Sequence, residues 1–164
     1  MEDQTLKFSK IVKTFTTAVE NNHGEKLASL FAVDGIYDDY IYGEFKGRKN
    51  IAMMLPTHFH RDARDFSWEM YDLLNNKSKG YARYRFSFTS TLTSSENLKV
   101  AVHGMAYFHF EDDLIKYYGE VVNGGIPMAQ LNLPAGKIKR VFEKWSDRAL
   151  DADPKLKKLY TKGE

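Results

Sequence analysis

The sequence predicts an α+β domain in which helices come first and a meander of long strands follows. Apolar residues recur at the helical period of about 3.6 near the N-terminus and alternate with a period of two in the middle of the chain. Helices gathered before strands, rather than alternating with them, favour α+β over a parallel α/β fold. A length of 164 residues fits one domain with its own core.

Three helices are predicted before the long strands. The first covers residues 6–22, and Gly24 follows it in a position suited to a positive φ. A short second helix covers residues 25–31. A third covers residues 49–60 and contains Pro56, which is expected to kink or split it because proline lacks a backbone N–H.

The strands are predicted from alternation and from the turns that bound them. Asp34-Gly35 reads as a turn before a short strand over residues 36–42. The long strands cover residues 66–74, 81–92, 100–110 and 114–122. Glu111-Asp112-Asp113 forms the polar turn of a hairpin between the last two strands.

The C-terminal part is predicted to be helical. It reads as short helical pieces over residues 127–160, separated by segments that contain Pro134 and Pro154. The predicted organisation is a domain over residues 1–125 and a helical extension of the same domain over residues 126–164.

Composition excludes several classes of function. The chain has no cysteine, which removes disulfides, thiolate zinc sites and cysteine nucleophiles. Its 24 basic and 22 acidic residues are too balanced for a nucleic-acid-binding surface, so no nucleic-acid partner is expected. The lysines between residues 155 and 162 read as a solvated tail. With 11 Phe, 10 Tyr and 2 Trp, the predicted sheet should carry a thick core, a ligand cavity, or both.

No segment of the sequence resembles a membrane span or a secretion signal. The apolar runs are far shorter than the ~18 residues that a span needs, and the first residues are acidic and polar. We therefore expect a soluble, cytoplasmic protein without a membrane partner.

Four local patterns resemble the SnoaL-like, or nuclear transport factor 2-like, superfamily. They are the helical segment from Phe15 through Asp34-Gly35, the strand that ends in Tyr37-Asp38-Asp39, the F-x-G-x-x-x-I pattern from Phe45 to Ile51, and the hairpin from Phe108 to Ile115. Together they cover about residues 8–122. The resemblance implies a cone-shaped α+β barrel, with N-terminal helices packed on a curved mixed or antiparallel sheet, an internal pocket and frequent dimerisation. Members include ketosteroid isomerases, polyketide cyclases, scytalone dehydratases, limonene epoxide hydrolases and non-catalytic transport factors, so the fold does not determine the function.

The resemblance places one catalytic candidate, Asp39, at the position of the ketosteroid isomerase base. The two oxyanion partners of that enzyme fall on Phe15 and Ala106, which cannot donate a hydrogen bond, so isomerase chemistry of that type is not expected. A cyclase-like proton transfer by Asp39 remains open. Dehydratase chemistry is not favoured, because strand alternation turns His103 away from the inner face. The Asp-Arg-Asp cluster of the epoxide hydrolases is not recognised either.

Seven residues are predicted to line a substrate pocket. Alternation places Trp68, Tyr84, Phe86 and Tyr117 on the inner face of the sheet. The family positions add three more: Phe15, Ala106 and Phe108. For the first four, packing in the core is the competing interpretation. One of Asp38 and Asp39 must point inward if their strand is regular, but the sequence does not say which.

The opposite face of the strand over residues 100–110 carries His103, Tyr107 and His109. An exposed aromatic sheet face is uncommon on a monomer, so these residues are predicted to form a homodimer interface. His103 and His109 lie ~20 Å apart along a strand at ~3.3 Å per residue, too far to share a metal ion. No metal site and no cofactor are expected. Glu120 is expected to be solvent-exposed or to form an ion pair in an interface.

Three hypotheses for function follow. The first is a cofactor-free lyase, isomerase or hydrolase that acts on a small hydrophobic or ring-containing molecule, with Asp39 in proton transfer. The second is a non-catalytic ligand-binding module of the same fold. The third is a structural dimerisation module whose cone is filled by side chains; a cavity of the usual ~300–1,000 Å³ would exclude it.

Overall fold

A computed structural model of the chain describes residues 4–161. Its first three helices are α1 (Gln4–Glu20), α2 (Gly24–Ala28) and α3 (Arg48–Met54). Beyond Met54 the helix passes into a π-helical turn (Leu55–Phe59) and then into α4 (His60–Asp62). Pro56 lies in the π-helical turn, and its missing N–H interrupts the α-helical hydrogen bonds there, as expected from the sequence.

Six strands form one mixed, unclosed sheet in the order β2-β1-β6-β5-β4-β3. The strands are β1 (Phe31–Asp39), β2 (Gly43–Lys46), β3 (Ala63–Asn75), β4 (Lys79–Ser90), β5 (Lys99–Glu111) and β6 (Leu114–Val122). Only β1 and β6 pair in parallel, and the other four pairs are antiparallel. The sheet is curved and the helices pack on it, which confirms the predicted α+β cone fold.

The four long strands were predicted to within a few residues, and β6 agrees with its predicted bounds. The turn between β5 and β6 is also as expected. Asp112 and Asp113 adopt φ values of 48° and 65°, which short hairpin turns require and which aspartate tolerates.

The prediction was wrong around Asp34-Gly35, which lies inside β1 rather than in a turn before it. The second helix ends at Ala28, and Phe31 already pairs with Ile115 of β6. The pairing shifts register between Phe31 and Ile36, so the turn-like residues form an irregularity within the strand. A side chain at Gly35 would come within 2.9 Å of the Ile115 carbonyl oxygen, so the strands approach closely only because glycine is there.

The prediction also missed β2, a short strand that pairs with β1 from Ile36↔Lys46 to Asp39↔Gly43. The sequence showed only glycine punctuation in this segment. Gly43 has a φ of 90°, which lets the chain reverse tightly after Asp39.

The core between α1 and the inner face of the sheet is largely aromatic. Phe15 of α1 is completely buried, and its ring centroid lies 4.7 Å from that of Tyr118, 5.6 Å from Trp68 and 5.7 Å from Tyr37. Offset and edge-to-face contacts of this kind add to the hydrophobic stabilisation of each buried ring. The aromatic content noted in the sequence is thus used mainly to fill the space between helix and sheet.

The described chain divides into two compact units, the first ending at Leu131 and the second beginning at Asn132. Helix α5 (Gly125–Gln130) belongs to the first unit. Its Gln130 amide exchanges two hydrogen bonds with the backbone of Ala101 in β5, at 2.9 and 3.1 Å. The assignment of residues 126–164 to one domain with the cone stays a prediction.

The second unit contains α6 (Ala135–Ala152) and α7 (Pro154–Tyr160). Phe142 and Trp145 pack edge to face within α6. Asp153 caps α7, accepting hydrogen bonds from the backbone N–H groups of Lys155 and Leu156. Among residues 4–161, no helix is long and apolar enough to cross a membrane.

Candidate functional site

Asp39 is the last residue of β1, and its side chain points inward. Alternation along the strand buries Tyr37 and Asp39 on the inner face, with only 5% of Asp39 exposed. Asp38 points to the other face, where its carboxylate accepts a 2.6 Å hydrogen bond from the Tyr117 hydroxyl. The choice between the two aspartates that the sequence left open therefore falls on Asp39.

The Asp39 carboxylate also holds the turn that follows β1. Its Oδ1 accepts hydrogen bonds from the backbone N–H groups of Ile41 at 2.8 Å and Tyr42 at 2.7 Å. Two such bonds stabilise the ionised form of a carboxylate. Asp39 thus has both a structural contact at Oδ1 and a position at the edge of a cavity.

The second acidic residue of this site is Glu120, on β6 next to β1. Its Oε2 accepts a hydrogen bond from the Tyr118 hydroxyl at 3.2 Å, and its Oε1 lies 3.5 Å from the backbone nitrogen of Tyr40. The Tyr84 hydroxyl donates to it as well. Burial, followed by the negative charge of Asp39, raises the pKa of Glu120 from the ordinary 4.5 to about 8. At neutral pH Glu120 is therefore mostly protonated beside an aspartate.

Three buried tyrosines surround these two carboxyl groups. Burial, with the negative charge of Asp39 adding to it, raises the pKa of Tyr37, Tyr84 and Tyr118 above the ordinary range. Their hydroxyls consequently stay protonated, and that of Tyr118 donates to Glu120. Gly104 makes room for one of them, because a Cβ at this position would lie 2.5 Å from the Tyr84 hydroxyl and ring.

A cavity of about 200 Å³ opens beside the two carboxyl groups. Its wall is mainly apolar, and seven aromatic residues contribute to it: Tyr40, Tyr42, Phe59, Phe66, Trp68, Phe86 and Phe88. Most of these rings contact one another, with centroids 5.9 Å apart for Phe66 and Phe86 and 4.9 Å apart for Trp68 and Phe86. Gly124, Pro127 and Leu131 cover another side. The cavity is smaller than the ~300–1,000 Å³ of most ligand pockets, which limits a ligand to a small molecule.

The predicted site residues are distributed over three places. Asp39, Trp68 and Phe86 line the cavity. Phe15, Tyr84, Ala106 and Phe108 are buried in the aromatic core and do not line it. The expected inward orientation of Tyr117 is wrong. The side chain lies on the outer face, where its ring stacks on Tyr107 with a centroid separation of 5.9 Å.

Sequence reasoning misplaced Glu120, which was expected at the surface or in an interface ion pair. Tyr118 and Glu120 are two residues apart on one strand and therefore share the inner face. The signal was available, because placing the fully buried Tyr118 inward would have brought Glu120 with it. The prediction placed Tyr117 inward instead, and this one-residue error reversed both faces of β6.

The outer face of β5 carries His103, Met105, Tyr107 and His109, as alternation predicted. His103, Met105 and His109 are exposed and Tyr107 is partly covered. Tyr107, His109 and Tyr117 form a cluster of rings with centroids about 6 Å apart. Among residues 4–161, no group of three or more histidine, aspartate or glutamate side chains is arranged to hold a metal ion.

Comparison with solved structures shows the same fold in proteins of low sequence identity. A hypothetical protein with a ketosteroid isomerase-like fold from Catenulispora acidiphila, in complex with trimethylamine, is 18% identical with a TM-score of 0.68, covering 77% of this chain and 95% of its own. A candidate SnoaL-like polyketide cyclase from Shewanella putrefaciens is 12% identical with a TM-score of 0.66, covering 82% and 100%. An epoxide hydrolase from M. tuberculosis, similar to the limonene epoxide hydrolases, is 13% identical with a TM-score of 0.64, covering 79% and 92%.

No curated protein matches the chain significantly at the sequence level. The sequence profile of the SnoaL-like domain, in contrast, matches residues 12–118. This range contains the second half of α1, all of β1 to β5 and the first five residues of β6. Since the match covers more than half of the chain, the protein belongs to the SnoaL-like domain family.

Proposed function

We propose that this protein binds a small, largely apolar molecule in the cavity and transfers a proton on it without a cofactor, as a lyase, isomerase or hydrolase. The observation that carries this proposal is the pairing of Asp39 and Glu120 at the edge of an apolar, aromatic-lined cavity. When the environments of two neighbouring carboxyl groups give them different pKa values, one can be ionised and act as a base while the other is protonated and acts as an acid.

The environments of the two residues assign the roles. Asp39, with two backbone N–H groups donating to it, is the base that accepts a proton from the ligand or from a water molecule. Glu120, with its pKa raised to about 8, holds a proton at neutral pH and donates it, or a hydrogen bond, to an oxygen on which negative charge develops.

This arrangement also replaces the missing oxyanion partners of the ketosteroid isomerases. Phe15 and Ala106, at the corresponding positions, are both buried in the core and offer no donor. Glu120 lines the cavity from β6 and supplies a protonated carboxyl, while Tyr84 of β4 contacts this carboxyl from the core and does not reach the ligand. On this proposal the hydrogen-bond donor lies on β6 and not on α1 or β5, while the base lies at the end of β1, as in the isomerases.

The test is a search for proton transfer by NMR in D₂O, using small cyclic ketones and epoxides as probes. We expect deuterium incorporation or product formation with the wild-type protein. Asp39→Asn should lower the rate ~100-fold or more, within the usual range for removing a general base. Asp38→Asn is the matched control, because Asp38 is adjacent in sequence but faces the other side of the sheet. Turnover that survives in Asp39→Asn would contradict the proposal.

A second function, non-catalytic ligand binding, is favoured by one observation. The Oδ1 atom of Asp39 is engaged by the turn at Ile41 and Tyr42, which is how a structural strand-end aspartate behaves. On this alternative the probes bind in the cavity but no product or exchange accumulates with time. The same NMR experiment distinguishes the two functions.

The proposal includes a homodimer and a cytoplasmic location. Support for the dimer comes from the outer sheet face around His103, Tyr107 and His109. Met105 and Val121 on this side are 48% and 63% exposed. Apolar and aromatic side chains on an exposed sheet face are typical of surfaces that associate.

A further inference from the structure

The charges around the cavity have one sign. Three acidic residues line it, Asp39, Asp62 and Glu120, and within the described chain no lysine, arginine or histidine does. Asp62 is balanced by an ion pair with Arg61 at 2.6 Å and accepts a hydrogen bond from Tyr42. At neutral pH the charge that faces a ligand therefore comes from Asp39, and Glu120 adds to it where it ionises.

The cavity wall has the chemistry that recognises organic cations. The faces of aromatic rings carry partial negative charge and attract ammonium groups within about 6 Å. Tyr42, Phe59, Phe66, Trp68, Phe86 and Phe88 supply such rings on several sides. An anionic ligand would instead lie near the Asp39 carboxylate, and no basic side chain among the described lining residues would balance its charge, which costs free energy in a buried site.

We propose that the ligand of this cavity carries a small organic cation, a protonated or quaternary amine, which lies between the Asp39–Glu120 pair and the aromatic wall. This rests on the proposed function only in using the same cavity as the ligand site, and it holds whether or not the pair transfers protons. It narrows the ligand from any small apolar molecule to one with an alkylammonium group.

Binding of a cation should be coupled to the ionisation of Glu120. The groups that face this carboxyl are Tyr37 and Asp39 of β1, Tyr84 of β4 and Tyr118 of β6, with the backbone N–H of Tyr40. None of them is a cation, and the negative charge of Asp39 helps to keep Glu120 protonated. A bound ammonium group opposes that effect and lowers the pKa of Glu120. Binding at pH 7 should therefore release a proton, and affinity should rise between pH 6 and about 8.

The experiment compares three probes of nearly equal shape: choline, 3,3-dimethylbutan-1-ol and 3,3-dimethylbutanoate. Choline is a cation with a trimethylammonium group. The alcohol is its neutral isostere, with a tert-butyl group in that place, and the carboxylate is an anion with the same tert-butyl group. Isothermal titration calorimetry of the full chain, in two buffers of different ionisation enthalpy, measures the affinity and the proton release. We expect choline to bind at least ~10-fold more tightly than the alcohol, and the anion to bind most weakly.

Four variants locate the binding. Asp39→Asn and Glu120→Gln should each reduce the preference for choline over the alcohol by several-fold, and Glu120→Gln should also abolish proton release. Asp38→Asn, on the opposite face, should leave both unchanged. Val102→Trp places a large side chain in the cavity and should remove binding of all three probes.

The possible failures are distinguishable. If the alcohol binds as tightly as choline and Val102→Trp removes it, the cation inference is overturned while the cavity remains the ligand site of the proposed function. If choline binds equally well to wild type, Asp39→Asn and Glu120→Gln, the cation lies elsewhere and the inference is again overturned. If no probe binds, both the inference and the proposed ligand site are wrong.

Discussion

Replacement of Glu120 by glutamine tests how burial beside Asp39 couples the ionisation of this carboxyl group to the stability of the fold. Glutamine has nearly the same shape as a protonated glutamate. Its amide oxygen can accept the hydrogen bond of the Tyr40 backbone, and its NH₂ group, at the other position, can donate to the Tyr118 hydroxyl oxygen. The variant therefore removes the ionisation of residue 120 while changing the packing very little. Its effect on stability should depend strongly on pH.

The magnitude follows from the difference between the two states of the chain. Glu120 has a pKa of about 8 in the folded protein and about 4.5 when unfolded. Below pH 4.5 both states hold the proton. Between about pH 4.5 and 8 only the folded state holds it, so wild-type stability falls as the pH rises. By pH 9 this loss reaches about 3–5 kcal/mol, at about 1.4 kcal/mol for each tenfold difference in proton affinity. Glu120→Gln should not show this loss of stability, because glutamine does not ionise.

The assay is urea denaturation of both proteins from pH 5 to pH 9, followed by circular dichroism. We expect similar stability at pH 5 and a clear advantage of Glu120→Gln at pH 9. Glu69→Gln is the control, since Glu69 is exposed and pairs with Arg85 at the surface, and its pH dependence should match that of wild type within about 0.5 kcal/mol. Parallel stability profiles for wild type and Glu120→Gln would refute the burial of Glu120 beside Asp39.

Two further predictions concern the supporting structure. Gly104→Ala should displace the Tyr84 hydroxyl, because the new methyl group would lie 2.5 Å from it. We expect the free energy of unfolding, measured by urea denaturation, to fall by about 1–3 kcal/mol. An NMR pH titration should also show a changed pKa of Glu120. Met105→Lys places a charge at the centre of the predicted dimer face and should shift the protein to monomer in sedimentation velocity, with the unfolding midpoint of the monomer unchanged.

Each of these has a plain contrary outcome. A Gly104→Ala protein as stable as wild type would mean that Tyr84 does not pack where the structure places it. An unchanged sedimentation coefficient for Met105→Lys in a dimeric protein would move the interface away from the outer face of β5. A wild-type protein that sediments as a monomer would remove the dimer prediction altogether.

The long strands and the helices were predictable because each depends on a local periodic pattern. Alternation in β4, β5 and their neighbours and the helical spacing in α1 are visible in the sequence without any tertiary information. The segment around Gly35 was mispredicted since its turn-like residues are held in a strand by pairing with β6, which lies about 80 residues away along the chain.

Of the candidate site, the sequence by itself determined the carboxylate at the end of β1, through the match of Asp39 to the family pattern, and the inward faces of Trp68 and Phe86. Only the tertiary structure decided that Asp39 rather than Asp38 points inward and that Glu120 is its neighbour. Asp39 and Glu120 come together because β1 and β6 pair in parallel, a non-local contact that no local periodicity reports. The raised pKa of Glu120 follows from that contact and from burial, and both arise only when the sheet is assembled.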